Sequence, residues 1–359
     1  MNIACQALYS LVERECYWLS KRVDMFREKK FVLFPAGLTS QAFYHTLVND
    51  YGIEAEFFID NNPQTLQYGE KYIKTRPWEQ NPNFDKEYAV LIPTMAKYYF
   101  QIAEQLKING ISMYMHDLAF CACQLWNRYK RVLYLLEDEQ SKLAYLGAIY
   151  SMLTFDNTFI QYEKEHYFAL RQFVCGEIDT IVDAGAYVGS TTENYVKCTN
   201  AGIKIYAFEP YDKVLTKLNA RIERLKREYL LEDDDIVIVP SGVGKETKKV
   251  SFSKANPLML KPDEKGDMEL LVYSLDDYFK DKKPFTILKA DIEGGELDML
   301  KGASEMIKCH KPKMALSIYH SPEDFAIIAE FIHSLVPEYK MAVRNHYHNY
   351  QETVLYCWV

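Results

Sequence analysis

Five nearly uniform apolar runs separated by helical stretches constrain this chain more than any other feature. They are TIVDAG (180–185), KIYAFEP (204–210), IVIVPSG (236–242), FTILKAD (285–291) and KMALSIYH (313–320). Strands apolar on both sides must be covered on both faces, which is the condition of a parallel sheet flanked by helices. The stretch 322–336 reads as one such helix. Ser321 caps it, Pro322 occupies its first turn, Glu323 and Asp324 meet its positive end, and Phe325, Ile328, Ile332 and Leu335 form its buried stripe. Two alternating runs follow, KMAVRNHYH (340–348) and ETVLYCWV (352–359), separated by a short polar turn. They predict an antiparallel hairpin. The fold class is α/β with a Rossmann-like sheet.

The same alternation occurs more weakly near the N-terminus. A helix over 3–28 carries Ala7, Leu8, Leu11, Val12, Leu19 and Val23 near helical spacing. Strands are expected at FVLFPAG (31–37), AEFFID (55–60), YAVLIPT (88–94) and ISMYMHD (111–117), with Thr39 capping the first intervening helix and a turn at Asn61, Asn62 and Pro63. Residues 1–117 thus read as a small Rossmann-like α/β accessory domain, and 178–359 as a second, larger one. Between them, 118–177 reads as a helical connector, with Leu136, Leu143, Leu146 and Ile149 in register and QYEKEHYFALRQF continuing the helix. A length of 359 residues suits about two to three domains.

Composition excludes several functions. A net charge of −8 argues against a nucleic-acid backbone as partner, because such proteins usually present a basic face. Eight scattered cysteines without paired spacing suit a reducing compartment. No apolar run is long enough to span a bilayer, and the first residues meet acid too early for a signal peptide, so a cytoplasmic protein is expected. The 28 tyrosines fill half-buried positions or serve saccharide and partner contacts.

The first strand of the larger domain runs into IVDAGAYVGSTTE (181–193). A dinucleotide turn needs a second glycine where pyrophosphate touches the backbone, and Tyr187 stands there. Asp183, just ahead of the turn, would repel phosphate. Both features favour a ligand with a cationic end and no phosphate, as S-adenosylmethionine has. Glu209 ends the next strand, where an acid accepts ribose hydroxyls. Two plainer readings stand beside these: Asp183 accepting backbone N–H bonds in its turn, and Glu209 as a surface acid. In the N-terminal domain, Pro35 replaces the first glycine of a dinucleotide turn, and Asp60 suits a turn as well as a ribose. A substrate-presenting or dimerising role fits that domain better than nucleotide binding.

From about residue 130 to 359 the chain resembles the FkbM family of S-adenosylmethionine-dependent methyltransferases. The resemblance rests on LEDEQSK (136–142), HYF (166–168), VDAGAYVGSTTE (182–193), YAFEP (206–210), SLDDY (274–278), LKADIEGGELDMLKGA (288–303), SIYHSPEDF (317–325) and ETVLYC (352–357) in order. It implies a seven-stranded methyltransferase sheet with a reversed terminal hairpin, and O-methyl transfer to sugars, polysaccharides or natural products. It also implies that Asp183, Gly185 and Gly189 line the methionine end of the donor, with Tyr187 and Pro210 in the same binding set. Glu209 would hold the ribose, Ser241 or Gly242 would lie near adenine, and Asp291 would stand where donor and acceptor meet. Thr191 and Thr192 line or cap the helix start, and Gly294-Gly295 reads as a tight turn.

Methyl transfer is an in-line displacement, so the protein must hold an acceptor oxygen behind the methyl and direct its proton. His320 is the expected base, with a pKa suited to neutral pH. Asp291 and Glu293 are the carboxylate candidates. His346, His348 and Arg344 on the terminal hairpin would reach the same mouth, a buried structural histidine being the alternative. Asp291 and Glu293 together suit a divalent ion as oxygen ligands, but carboxylates one residue apart diverge on a strand, so no metal is assigned. Asp276 and Asp277 cap the helix that follows them. The expected function is a SAM-dependent O-methyltransferase acting on a sugar, a polysaccharide precursor or a nucleotide-linked sugar. The alternatives are a non-sugar natural product or lipid alcohol as acceptor, or a scaffold with a degenerate donor site. A small-molecule or saccharide partner is expected, with no nucleic acid and no membrane span, and a homodimer is possible.

Overall fold

The structure, a computed structural model, describes residues 1–61, 66–68, 71–73, 75–76, 83–176, 178–199, 203–252 and 268–359; Asn62 and Pro63 of the expected turn lie outside these. The chain divides into two compact units, 6–127 with 149–156, and 1–5 with 128–148 and 157–359. The stretch 118–177 is therefore shared between them.

In the first unit, β1 (Lys30–Leu33), β2 (Ala55–Ile59), β3 (Thr75–Arg76), β4 (Tyr88–Ile92) and β5 (Tyr114–His116) form a parallel sheet of order β3-β2-β1-β4-β5. Its helices include α1 (Ile3–Arg27) from Gln6 onward, α2 (Leu38–Tyr51) and α3 (Ala96–Ile108). Val32, Phe34, Phe57, Ile59, Val90 and Ile92 pack in its core, as alternating strand residues must. Thr39 does not cap α2. Gly37 holds that position and Thr39 lies inside the first turn. Asp60 instead ties the loop after β1, its carboxylate accepting the Ala36 N–H at 2.9 Å.

The second unit carries β6 (Thr180–Ala184), β7 (Lys204–Phe208), β8 (Ile236–Val239), β9 (Ile287–Ala290), β10 (Lys313–Ser317), β11 (Lys340–Asn345) and β12 (Thr353–Trp358). Their order is β8-β7-β6-β9-β10-β12-β11, all parallel except β12, which runs antiparallel to both of its neighbours. The chain winds outward from β6 in one direction and from β9 in the other, so a crevice opens at their carboxyl ends, the usual place for a ligand in such sheets. The antiparallel β12 returns to that edge, which puts Glu352 beside the residues that follow β10. Helices α4 (Ser190–Cys198) and α5 (Asp212–Tyr229) follow β6 and β7, and α6 (Asp324–Leu335) follows β10. Glu323, not Ser321, stands at the N-cap of α6, and Ser321 and Asp324 bond reciprocally across the turn that enters it, each side chain accepting the other's N–H at 3.2 and 3.0 Å. In SLDDY the cap is Ser274, whose hydroxyl accepts the Asp277 N–H. Asp276 reaches across to the N–H groups of Glu305 and Met306 at 3.0 and 2.9 Å, so it caps the helix Ser304–His310.

The helix expected over QYEKEHYFALRQF is not formed. Helices occupy Trp126–Leu135 and Glu139–Thr154, after which Phe155 adopts a left-handed φ of 59° that stops the second of them. Residues 157–176 instead run as an irregular strap. Its backbone is satisfied by the sheet: Glu163 N–H donates to the Asn345 carbonyl at 2.7 Å, and Tyr162 bridges to Asn345. Tyr167 is again left-handed, at φ 65°. No helix among the described residues is long and apolar enough to cross a membrane.

Candidate active site

The turn after β6 is shaped by two glycines. Gly185 has φ +72°, and a Cβ there would lie 1.9 Å from the Asp291 carbonyl oxygen, so the turn abuts the end of β9 with no room for a side chain. The N–H groups of Gly185 and Ala186 both donate to the Phe208 carbonyl at 3.0 Å. Gly189, at φ +82°, is the N-cap of α4. Tyr187 is left-handed at φ 48° and 59% exposed, and its N–H donates to Glu209 Oε2 at 2.9 Å.

Asp183 is not offered to a ligand. It lies opposite Lys289 in the β6–β9 register, and Lys289 Nζ is 3.1 Å from its Oδ1. The Thr192 hydroxyl donates to Oδ2 at 2.6 Å. The two side chains are 0% and 3% exposed, so the carboxylate's charge is spent inside the sheet. The expectation that Asp183 lines the donor's cationic end is corrected accordingly. Lys289 also donates to the carbonyls of Ala184 and Gly185, at 3.1 and 2.8 Å, and so fixes the turn from beneath.

Glu209 is buried at the end of β7, its two oxygens accepting N–H bonds from Tyr187 and Tyr211, each at 2.9 Å. Burial pushes its carboxyl above the usual range, and those two N–H bonds oppose the shift. Each carboxylate oxygen retains a lone pair for a hydroxyl donor. Pro210 follows it, half-buried. Ser241 is buried with its hydroxyl lacking a protein partner, and Gly242 opens the short strand Gly242–Val243. The unmet Ser241 hydroxyl and the close-packed glycine turn fit an uncharged heterocycle and a small polar chain, as a methyl donor of the S-adenosylmethionine type presents.

On the other side of the crevice, three carboxylates gather around one imidazole. His320 Nε2 is 3.3 Å from Asp291 Oδ1 and 3.8 Å from Glu293 Oε2, and Nδ1 is 3.2 Å from Glu296 Oε1. Glu293 does not diverge from Asp291 as strand neighbours would, because β9 ends at Ala290 and Glu293 turns back with φ 57°. Tyr167 OH donates to Asp291 Oδ2 at 2.9 Å, and Tyr319 OH reaches Asp291 Oδ1 and Glu352 Oε1 at 3.2 and 3.3 Å. Burial alone would raise the Asp291 carboxyl, but His320, Lys289 and Tyr167 hold it well below the usual range.

His320 is not a base at neutral pH. Burial opposes its charge, yet the Asp291 and Glu296 carboxylates push it up to about 10. Its expected titration near neutrality is corrected for that reason. The consequence for stability has a definite sign. A folded pKa above the unfolded value of about 6.5 gives stability that is complete below pH ~6.5 and disappears as pH rises through about 10. The stability gap between the native chain and His320→Gln, followed by urea unfolding in chelating buffer, is therefore expected to shrink steadily from pH 6.5 to 10. A constant gap would mean an uncharged ring.

His346 does not reach the mouth as a base either. It is buried, with Nδ1 at 2.8 Å from the Glu163 carbonyl and Nε2 at 2.9 Å from Tyr356 OH. Arg344 is turned away, buried against Asp138 Oδ2 at 3.2 Å and the Ser141 hydroxyl at 2.7 Å, which gives LEDEQSK a structural task. His348 is exposed and stacked on Tyr162, ring centroids 5.0 Å apart. The strap supplies instead the imidazole of His166, in the HYF motif, to which the sequence patterns assign no role. His166 stacks on Tyr167 at 3.9 Å and on His346 at 4.6 Å, with Nε2 3.6 Å from Glu352 Oε2. Burial, then His346, push it down to about 3, so this ring is neutral. Lys289, Glu296 and Glu352 were missed as well. A lysine inside the apolar run FTILKAD was the one available signal, since a charge in a covered strand must find a partner.

Residues 183–341 match the family model described as the methyltransferase FkbM domain. Over 99% of this chain and 100% of the other, the fold is similar to the crystal structure of methyltransferase FkbM from Methylobacillus flagellatus KT, with a TM-score of 0.62 at 19% identity. A putative rRNA-methylase from Clostridium thermocellum is similar over 52% of this chain and 88% of its own, with a TM-score of 0.35 at 13% identity. No curated protein matches the sequence. The glycine turn at the β6–β9 crevice, with Glu209, Asp291 and His320, thus lies within the segment 183–341 that matches the methyltransferase FkbM domain.

Proposed function

We propose that this protein transfers a methyl group from S-adenosylmethionine to a saccharide hydroxyl at the carboxyl edge of β6 and β9. The observation that carries this reading is the meeting of a ligand turn with a hydroxyl-binding rim. The turn 185–189 and Glu209 lie on one side. Asp291, Tyr167, Tyr319 and Glu352 lie on the other. The donor supplies a methyl carbon already activated by its sulfonium. Backbone groups of the turn would receive its amino-acid end, Glu209 would accept both ribose hydroxyls, and the Ser241 hydroxyl would meet the adenine edge. Asp291 orients the acceptor hydroxyl, and Glu352, whose carboxyl burial holds above the usual range, takes its proton as the methyl arrives. Carboxylates and tyrosine hydroxyls suit a polyol, and exposed rings such as Tyr187 offer it an apolar face.

Formation of S-adenosylhomocysteine from S-adenosylmethionine over a panel of saccharides, read by mass spectrometry, tests this. Methylation at oxygen is expected, and Glu209→Ala is expected to weaken S-adenosylhomocysteine binding by about tenfold or more, the loss of charge-assisted bonds to two hydroxyls. Calorimetry that detects no binding at millimolar ligand would sink the donor assignment. Methyl groups found only on nitrogen or carbon would sink the hydroxyl assignment.

A further inference from the structure

The group around His320 is built like a metal centre. Glu296 is fully buried at the start of the helix Glu296–Lys301 and faces Nδ1 of the ring, which leaves Nε2 pointing at Asp291 and Glu293. A carboxylate behind an imidazole whose other nitrogen faces further carboxylates is the arrangement that orients a metal-binding histidine. The spacing fits as well. Two atoms each about 2.1 Å from one ion stand roughly 3.0–3.4 Å apart in octahedral or tetrahedral geometry. Nε2 is 3.3 Å from Asp291 Oδ1, and Glu293 Oε2, on an exposed and adjustable side chain, is 3.8 Å away. Donor atoms of Asp291, Glu296 and His320 all lie within 4.8 Å of one another.

A second observation points to a ligand. The His320 side chain is only 8% exposed, yet neither ring nitrogen makes a hydrogen bond of acceptable geometry, and the buried Glu296 Oε2 has no partner. The unmet Nε2 is what a bound ion would satisfy, and an ion held there would fix the ring with Nδ1 toward Glu296. Charge agrees. Asp291, Glu293, Glu296 and Glu352 converge there, while Lys289 is committed to Asp183. We propose that a divalent cation of the Mn²⁺ class displaces the Nε2 proton of His320 to solvent and binds that nitrogen together with Asp291 and Glu293, with Glu296 orienting the ring through Nδ1–H. A mixed imidazole and carboxylate set selects such an ion over Ca²⁺. An acceptor hydroxyl on its open position would be held at the crevice, beside the donor turn.

The full chain, stripped with chelator and then titrated with MnCl₂, is followed by the loss of the free Mn²⁺ electron paramagnetic resonance signal. Pulsed resonance detects nitrogen coupled to the bound ion. The expected result is one Mn²⁺ per chain with modulation from a single imidazole nitrogen. His320→Gln should abolish that modulation and weaken binding by about tenfold or more. Glu293→Gln, at an exposed position that folding does not depend on, should weaken binding severalfold. Absence of binding at millimolar Mn²⁺ overturns the proposal, as does binding without nitrogen modulation or binding unchanged in both variants. Neither donor nor acceptor is present in the titration, so failure of the methyl-transfer reading would leave this result standing.

Discussion

Lys289→Met is expected to destabilise the second unit by about 3–5 kcal/mol, the usual cost of removing one partner from a buried ion pair. Asp183 would be left as an uncompensated carboxylate at 0% exposure, with only the Thr192 hydroxyl for company. The carbonyls of Ala184 and Gly185 would lose their donor in the same step. Urea unfolding followed by near-ultraviolet circular dichroism checks this. The double variant Asp183→Leu with Lys289→Met should recover a large part of the loss, because an apolar pair of similar volume needs no desolvation. A single variant as stable as the native chain would show that the pair is solvated.

The second large effect is on ligand binding. Gly185→Ala sets a methyl 1.9 Å from the Asp291 carbonyl oxygen on a backbone at φ +72°. Left-handed strain costs a β-carbon residue about 1–3 kcal/mol, and the clash forces the turn away from β9 besides. About 2.8 kcal/mol is a hundredfold in affinity, so S-adenosylhomocysteine binding should fall by about that factor or more. Calorimetry measures it, with far-ultraviolet circular dichroism to verify that the sheet persists. Undiminished binding would mean that the turn does not hold the donor.

Much of this architecture is legible in the sequence because it follows from local pattern. The runs at 180–185, 204–210, 236–242, 285–291 and 313–320 each contain one of the sheet's parallel strands, and the alternating runs at the end form the hairpin. What escapes are features decided across long separations. The strap at 157–176 has helical spacing, but its backbone is claimed by Asn345, and tertiary pairing overrides propensity. Asp183 and His320 carry the residue types of a site, yet their partners Lys289 and Glu296 set whether they face a ligand or carry a proton. Glu293 reaches His320 only because its backbone turns left-handed, which no apolar periodicity records.

The strap has a consequence for how the protein acquires its activity. Glu163 and Tyr162 are held by Asn345, and Tyr167 meets Asp291, 124 positions further along the chain. On a growing polypeptide the donor turn can take shape once β9 has been made. The Glu163 N–H of the strap, however, meets its Asn345 carbonyl only once the terminal hairpin has been synthesised and has docked. Contacts closing loops of that length form slowly. The rim around Asp291 is thus completed after the glycine turn, and a nascent chain passes through a state in which the turn is formed and the opposite wall of the crevice is not.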